Sequence, residues 1–140
     1  INRGVEVKPG LWVAGVDDTL YGRPDLRQAL AGAPDGAVRI LLCHEPDFAD
    51  EVKPEHRIAL QISGHSHGGQ VRLPLFPPLL LPKRGRKYIA GLYAAPACHV
   101  YTTRGLGVAH LPLRLNCPPE ISLLTLASMD GRRGGLQRRS

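Results

Sequence analysis

Two short apolar runs, each followed closely by histidine, restrict the folds that this chain can adopt more than any other feature of its sequence. Residues 38–43 read VRILLC and precede His44, and residues 58–62 read IALQI and precede a glycine-rich loop that contains His65 and His67. Runs of this length and character are typical of strands buried on both faces of a sheet. We therefore predict two internal strands, each with histidine at its carboxyl end.

Weaker patterns predict further elements around these two strands. Strands are predicted at residues 5–7, 11–16, 70–73, 88–93, 99–103 and 121–126, and short helices after Pro24 and over residues 48–52. The proline-rich stretch that follows residue 73, to about residue 86, is too stiff for a helix or a core element. Helices alternate with strands in the first half and strands follow one another in the second, so we predict a mixed α/β layered sheet.

The composition is that of a folded and basic chain. Its 140 residues, 43% of them apolar, suit one domain or part of one. The net charge is +6, and four arginines of the Gly/Arg-rich segment 128–140 supply much of it. We expect residues 1–127 to form the domain and 128–140 to be a disordered, solvated tail, although such a tail also suits an anionic surface.

The chain begins at Ile1, in residues that read as a turn in mid-chain, so we expect a preceding segment in the complete protein. A targeting sequence there would decide between the bacterial cytoplasm and a membrane or cell-envelope location. The three cysteines, Cys43, Cys98 and Cys117, lack C-x-x-C spacing and predict neither a disulfide framework nor a zinc ribbon.

The histidines are the strongest candidates for chemistry. The carboxyl ends of strands in α/β sheets are where ligands bind, and alternate residues of extended backbone point the same way, so His65 and His67 are predicted to reach one pocket with His44. Neutral imidazoles suit zinc, iron and manganese. A histidine bonded only to the backbone is the alternative for each, and it is stronger for His44 alone than for the Gly-His-Ser-His-Gly-Gly cluster.

The segments 40–47 (ILLCHEPD) and 63–71 (SGHSHGGQV) resemble the last two signature blocks of calcineurin-like metallophosphoesterases. The later segments 91–93, 103–107 and 118–121 are similar to those of the bacterial YkuE/YaeI-type phosphodiesterase branch. The resemblance runs from about Asn2 to Leu126. It implies the C-terminal half of an α/β metallophosphoesterase-type β-sandwich flanked by helices.

The same resemblance implies a site with two divalent metal ions, manganese, iron or zinc, bridged by a hydroxide that attacks phosphorus. Carried over by position, His44 and His65 bind one metal and His67 binds the other. The family's earlier D-x-H, G-D and N-H-[DE] blocks are absent from this sequence. We therefore expect a fragment that lacks the bridging carboxylate, with the missing N-terminal half of the same domain as its partner.

Other polar residues have competing interpretations. Asp17 and Asp18 are expected to cap a loop rather than bind metal. Arg104 is predicted either to grip a phosphate or to lie on the surface. Tyr88 and the basic residues before it form either a lip over the site, with Tyr88 in contact with substrate, or a solvated loop. His56, His99 and His110 have no supporting pattern and are expected to be structural.

The resulting hypothesis is a metal-dependent phosphoesterase that acts on a phosphodiester or phosphomonoester, with lipid-linked and cell-envelope esters as candidate substrates. The isolated chain is expected to be inactive. One alternative is a non-catalytic metal-binding or interaction module that uses only the three histidines. Another is a nuclease of the same fold, but with one Trp and two Phe the chain has few rings for base stacking, and no specific nucleic-acid binding is expected.

Overall fold

Residues 1–78 and 81–127, which a computed structural model describes, fold around a mixed sheet of six strands. The strands are β1 (Arg3–Lys8), β2 (Leu11–Gly15), β3 (Val38–Leu42), β4 (Ile58–Ser63), β5 (Gly91–Ala94) and β6 (His99–Thr102). Their spatial order is β1-β2-β3-β4-β6-β5. The predicted tail at 128–140 lies outside the described residues.

The four inner strands β2, β3, β4 and β6 are parallel, and each edge strand pairs antiparallel with its neighbour. The β1–β2 hairpin turns at Gly10, whose φ of +78° is accessible to glycine without a steric cost. Parallel strands need a crossover between them. The crossovers contain helix α1 (Leu26–Ala29), whose N-cap is Asp25, and the 3₁₀ helices Pro46–Asp50 and Pro54–His56.

One face of the sheet carries the core. Trp12 and Ala14 of β2, Leu41 of β3 and Val100 of β6 are buried there. Leu26 and Ala29 of α1 and Phe48 and Ala49 of the Pro46–Asp50 helix pack in the same cluster. Helices therefore cover this face, as the predicted α/β layering requires.

The opposite face is partly bare. Val5 pairs with Val13, and Val13 with Ile40, so these side chains lie in one row across three strands. Val5, Val38 and Leu42 are 58%, 51% and 45% exposed. We call the surface formed by Val5, Val13, Val38, Leu42 and Ile62 the open face. A shallow concavity of about 530 Å³ lies over part of it.

The α/β class and the mixed sheet are confirmed, and the predicted strands at 5–7, 11–16, 38–43, 58–62 and 99–103 match observed strands within one or two residues. The strand predicted at 88–93 begins later, at Gly91. The described residues contribute one sheet of the sandwich that the resemblance implies.

Two strand predictions are wrong. Residues 70–73 make only a single bridge, between Val71 and Leu115, and Pro74 follows with no N–H to extend a ladder. Residues 121–126 form no strand, and Ile121 and Leu123 are exposed by 84% and 93%. A strand needs a neighbour for its backbone hydrogen bonds, and this segment has none within the described part of the chain.

Among these residues the structure contains no helix with the length and apolar character needed to cross a membrane.

Candidate metal centre

His44 and His65 lie together at the carboxyl edge of the sheet. They follow β3 and β4, which are parallel neighbours, so their loops begin side by side. Two backbone bonds tie the loops beyond the strands, from Cys43 N to Ile62 O at 3.2 Å and from Gly64 N to His44 O at 3.1 Å. The ring centroids of His44 and His65 are 4.8 Å apart, at an angle of 67°.

The His65 ring is oriented by the backbone of the proline-rich stretch. Its Nε2 lies 2.9 Å from the carbonyl oxygen of Lys83, which can only accept, so Nε2 carries the proton. The other ring nitrogen, Nδ1, then has a free lone pair. Histidines that bind metals usually donate their second ring N–H in this way.

The His67 ring is held in the same manner by a different loop. Its Nδ1 lies 3.3 Å from the carbonyl oxygen of Gly107, which leaves Nε2 as the free nitrogen. His67 is not part of the cluster that contains His44 and His65. The structure thus brings His44 and His65 together and directs His67 toward the loop after β6.

The backbone between the two histidines is not extended, so that part of the prediction is wrong. His65 and His67 have φ values of +65° and +50°, and Gly68 and Gly69 follow at +63° and +82°. Left-handed backbone is uncommon for non-glycine residues and persists where the surroundings enforce it. Here Ser66 does so, because its hydroxyl donates to Ile89 O and accepts from Gly68 N.

Arg114, which the sequence did not single out, joins the histidine loop to the loop after β6. Its guanidinium donates to the carbonyls of His67 at 3.3 Å, Arg104 at 2.8 Å and Gly107 at 2.6 Å. It also donates to the carbonyls of Gly105 and Cys117. The fixed fork of a guanidinium suits several acceptors at once. Nothing in the local sequence marks Arg114, because its partners are backbone atoms up to 47 residues away.

Arg104 and Tyr88 are both engaged within the chain. Arg104 Nε lies 2.6 Å from Glu120 Oε2 in a half-buried ion pair, and its stem packs against Gly68. Tyr88 is 3% exposed, and its hydroxyl donates to Asp50 at 2.8 Å. The substrate-binding roles predicted for these two residues stay predictions, and the observed contacts of Tyr88 are structural.

The basic segment before Tyr88 is bound to the Pro46–Asp50 helix. The Asp47 carboxylate accepts backbone N–H groups of Arg86, Lys87 and Tyr88 at 3.0 to 3.2 Å. Lys87 Nζ pairs with Asp50, and Arg84 pairs with Glu51. These contacts hold the Lys83 carbonyl beside His65.

Asp17 and Asp18 cap their own loop, as predicted. Asp17 accepts the N–H groups of Asp18 and Arg23, and Asp18 accepts those of Leu20 and Tyr21 at 2.8 and 2.7 Å. The hydrogen bonds from the Tyr21 and Leu20 backbone lower the pKa of Asp18 most, and a side-chain hydrogen bond with the Glu45 carboxyl and the nearby His44 lower it to a lesser extent. This carboxylate therefore lies close to the two histidine-bearing loops.

The donor set around His44 fits a divalent metal ion. The imidazoles are neutral donors, and Glu45, which follows His44, is fully buried with its Oε1 atom lacking a hydrogen-bond partner. Cys43 is not a suitable donor, because burial and the charge of Glu45 raise the pKa of its thiol to about 12. All three cysteines are free and buried, as expected without a disulfide framework.

A concavity of about 420 Å³ lies beside His44 at the same edge. It is lined by the ends of four strands and the residues after them, including Gly15, Leu42, His44, Ser63 and Thr103. It is open to solvent on the side that continues into the open face.

The chain is similar to several metallophosphoesterases. It is 42% identical over 118 residues to the Bacillus subtilis protein described as uncharacterized metallophosphoesterase YkuE, covering 84% of this chain and 41% of that protein. It is 44% identical over 88 residues to phosphodiesterase YaeI of Escherichia coli, covering 63% of this chain and 32% of that protein. A Danio rerio transmembrane protein with a metallophosphoesterase domain is 34% identical over 126 residues, which are 82% of this chain and 28% of that protein.

No family model and no solved structure matches the chain. The chain spans about two fifths or less of the length of the curated relatives described above. With these identities, a mixed α/β sheet and paired histidines at its carboxyl edge, the chain belongs to the calcineurin-like metallophosphoesterase family.

Proposed function

We propose that the complete protein is a metal-dependent phosphoesterase in which this chain supplies His44 and His65 to one divalent metal ion and His67 to a second. The observation that carries the proposal is the pairing of His44 with His65, at 4.8 Å between ring centroids, at the carboxyl ends of adjacent parallel strands. The separate direction of the His67 ring suits a ligand of the other ion.

When bound, metal ions of this kind lower the pKa of a coordinated water and polarise phosphoryl oxygens. The chain's own contribution is orientation. The carbonyls of Lys83 and Gly107 set the tautomers of His65 and His67, and Arg114 fixes the backbone of the His67 loop relative to Gly107. Ligands held in this way keep their geometry as charge builds up on the phosphate.

A phosphodiester is the proposed substrate, which the name of the Escherichia coli relative supports. The name of the Danio rerio relative, a transmembrane protein, supports an ester near a membrane, in line with lipid-linked or cell-envelope substrates. The concavity beside His44 would receive the phosphate group. Manganese, iron and zinc are the candidate metals.

We also propose that a further portion of the same domain provides the bridging carboxylate and the remaining ligands. The open face and the unpaired segment 121–126 offer apolar surface and free backbone groups for that portion to cover. The chain spans 41% and 32% of the two bacterial relatives, which also supports a domain with a further portion.

The test is hydrolysis of bis-p-nitrophenyl phosphate by the complete protein with Mn²⁺. We expect His44→Ala, His65→Ala and His67→Ala each to reduce kcat by at least about 100-fold, because the attacking hydroxide depends on the metals that they hold. His99→Ala, an exposed histidine of β6, is the matched control and should retain full activity. Equal activity of the His65 and His99 variants would contradict the assignment, and cleavage of DNA in preference to the ester would favour a nuclease.

A further inference from the structure

Glu45 is a buried carboxylate, and the contacts of the fold do not explain why one of its oxygens is buried without a hydrogen bond. Its side chain is 0% exposed. Oε2 accepts the backbone N–H of Thr19 at 3.0 Å, whereas Oε1 has no hydrogen-bond partner among the described residues. A buried carboxylate oxygen without a partner is unfavourable, so a cation or donor is expected at this position.

The Glu45 carboxylate lies beside the two histidines. One donor atom each from His44, Glu45 and His65 forms a group within which all distances are 4.8 Å or less. The ligand atoms of one tetrahedral zinc ion would be separated by about 3.3 to 3.6 Å, given bonds of about 2.0 to 2.2 Å. The widest pair would therefore have to close by up to about 1.5 Å, a change that rotation of the exposed His44 side chain allows.

The backbone of Glu45 is fixed from inside the sheet. Gln61 of β4 is fully buried, and its Nε2 donates to the carbonyls of Glu45 at 3.3 Å and Pro46 at 3.1 Å. The Cys43 thiol also donates to the Glu45 carbonyl. With Thr19 on Oε2, this network directs the Glu45 side chain without using Oε1.

We propose that Glu45 is a third ligand, through Oε1, of the metal ion held by His44 and His65. The inference rests on the proposed function, since it requires those two histidines to bind metal. A carboxylate adds negative charge to two neutral imidazoles and completes a nitrogen and oxygen donor set that suits zinc, iron or manganese. The bond of Oε2 to Thr19 orients the carboxylate in the way that outer-shell partners orient metal ligands.

A purely structural role predicts a different response to substitution. Glu45→Gln keeps the shape and an acceptor for Thr19, but it removes the charge and weakens the donor. If Glu45 only capped Thr19, the affinity for metal would not change. As a ligand, its replacement should weaken metal binding by about 10- to 100-fold, while the Tm of the metal-free chain stays equal or rises because an uncompensated buried charge is gone.

The experiment is calorimetric titration of the chelator-treated chain with Mn²⁺, repeated with Co²⁺ to follow the visible absorption of the bound ion. The matched control is Glu55→Gln, an exposed glutamate with the same change in charge. We expect weaker binding and a changed Co²⁺ spectrum for Glu45→Gln and neither change for Glu55→Gln. His44→Ala, as a separate arm, should lose binding altogether.

The outcomes of this experiment distinguish the proposed histidine metal site from the proposed role of Glu45 as a ligand. Loss of binding in His44→Ala with unchanged affinity in Glu45→Gln would overturn the role of Glu45 and leave the histidine site in place. No binding by the unmutated chain would overturn the three-ligand site with Glu45, and no binding by the complete protein would overturn both proposals. Should Glu45→Gln fail to fold, Glu45→Asp keeps the charge but withdraws the oxygen by one carbon, and its affinity should also fall if Glu45 is a ligand. An affinity equal to that of the unmutated chain would then contradict the proposal.

Discussion

At the scale of single residues, the candidate site depends on the residues that orient the histidines as much as on the histidines themselves. Lys83 and Gly107 act through their carbonyl oxygens, and Ser66 and Gly68 allow the left-handed turn between the rings. Their contacts with the two rings and with the turn between them come from the polypeptide itself. The site is therefore largely preorganised by the polypeptide.

Gly68 is predicted to be intolerant of any side chain. A Cβ at this position would lie 2.6 Å from Arg104 Cγ and 2.8 Å from Cys117 Sγ, and the φ of +63° is unfavourable for alanine. Gly10 has a similar φ of +78° but open space around it, so Gly10→Ala isolates the backbone cost of about 1–2 kcal/mol. Gly68→Ala should cost about 1–3 kcal/mol more, from overpacking, in urea unfolding. Equal losses for the two variants would show that the contacts with Arg104 and Cys117 are not restrictive.

Arg114 is expected to be irreplaceable by lysine. Lysine keeps the charge, but its single ammonium group cannot serve the carbonyls of His67, Arg104 and Gly107 together. Arg114→Lys should lower the free energy of unfolding by about 1–3 kcal/mol, because the partly buried carbonyls of His67 and Arg104 lose a charged donor. Arg27→Lys on the exposed side of α1 is the control. Equal stability of the two variants, measured by thermal melting, would argue against this function of Arg114.

At the scale of elements, the acidic face of the Pro46–Asp50 helix anchors the basic segment that reaches His65. The ion pair between Asp50 of this helix and Lys87 of the basic segment shows how charge stabilises the contact. Burial by itself raises the pKa of Asp50, but hydrogen bonds from Lys87 and Tyr88 outweigh it and leave the pKa below its usual 3.8. The hydrogen bond from Asp50 likewise raises the pKa of Lys87 above 10.5. The pair is therefore charged at neutral pH.

The pH dependence follows from these directions. A carboxylate with a lowered folded-state pKa stabilises the protein above its unfolded value, and this contribution is lost as the pH falls through the folded value. Unfolding of the natural chain and of Asp50→Asn should thus differ at pH 5 to 9 and converge below about pH 3.8. Because the pair is partly exposed, high salt should reduce the difference. A difference that persists unchanged at pH 2 would mean that the charge of Asp50 is not its source.

Much of the sheet could be predicted from the sequence, because runs such as residues 38–43 and 58–62 have few alternatives to a buried strand. The prediction for 121–126 was wrong, since an apolar-rich segment says nothing about whether a neighbouring strand is present. Gln61 shows a second limit. It lies inside an otherwise apolar run, and its purpose emerges only from carbonyls 15 and 16 residues away.

The candidate metal centre could be predicted from the sequence to about the same extent as the sheet. The strand ends indicated correctly that His44 and His65 meet, because adjacent parallel strands end at the same edge. The extended backbone assumed for His65 and His67 was wrong, since the φ values there depend on long-range bonds of Ser66 and Arg114. Whether the three histidines bind metal stays a prediction.

At the scale of the whole molecule, the open face predicts self-association. Exposed apolar side chains on strands, with unpaired sheet edges, favour contacts with other chains. We expect the purified chain to form oligomers or aggregates in light scattering, and co-expression with the further portion of the domain proposed above to prevent this. Val5→Thr with Val38→Thr should reduce association, whereas Leu75→Gln should not, because Leu75 is fully exposed in the proline-rich stretch and lies outside the open face. A monodisperse monomer that melts cooperatively would show that the chain is a self-sufficient domain.

The isolated chain is also predicted to hydrolyse p-nitrophenyl phosphodiesters poorly or not at all. It contains no D-x-H, G-D or N-H-[DE] block, so the carboxylate expected to bridge the two metals is lacking. Turnover by the purified chain with Mn²⁺, measured beside the complete protein, checks this. Strong manganese-dependent activity that His67→Ala abolishes would show that the chain is a complete catalytic unit.

The most direct test of the central claim is anomalous diffraction from crystals of the complete protein soaked in Zn²⁺. We predict a peak at the carboxyl edge of the sheet, about 2.0 to 2.2 Å from an imidazole nitrogen of both His44 and His65. A peak only at exposed carboxylates elsewhere, with none between these two rings, would contradict the metal centre and the phosphoesterase function proposed from it.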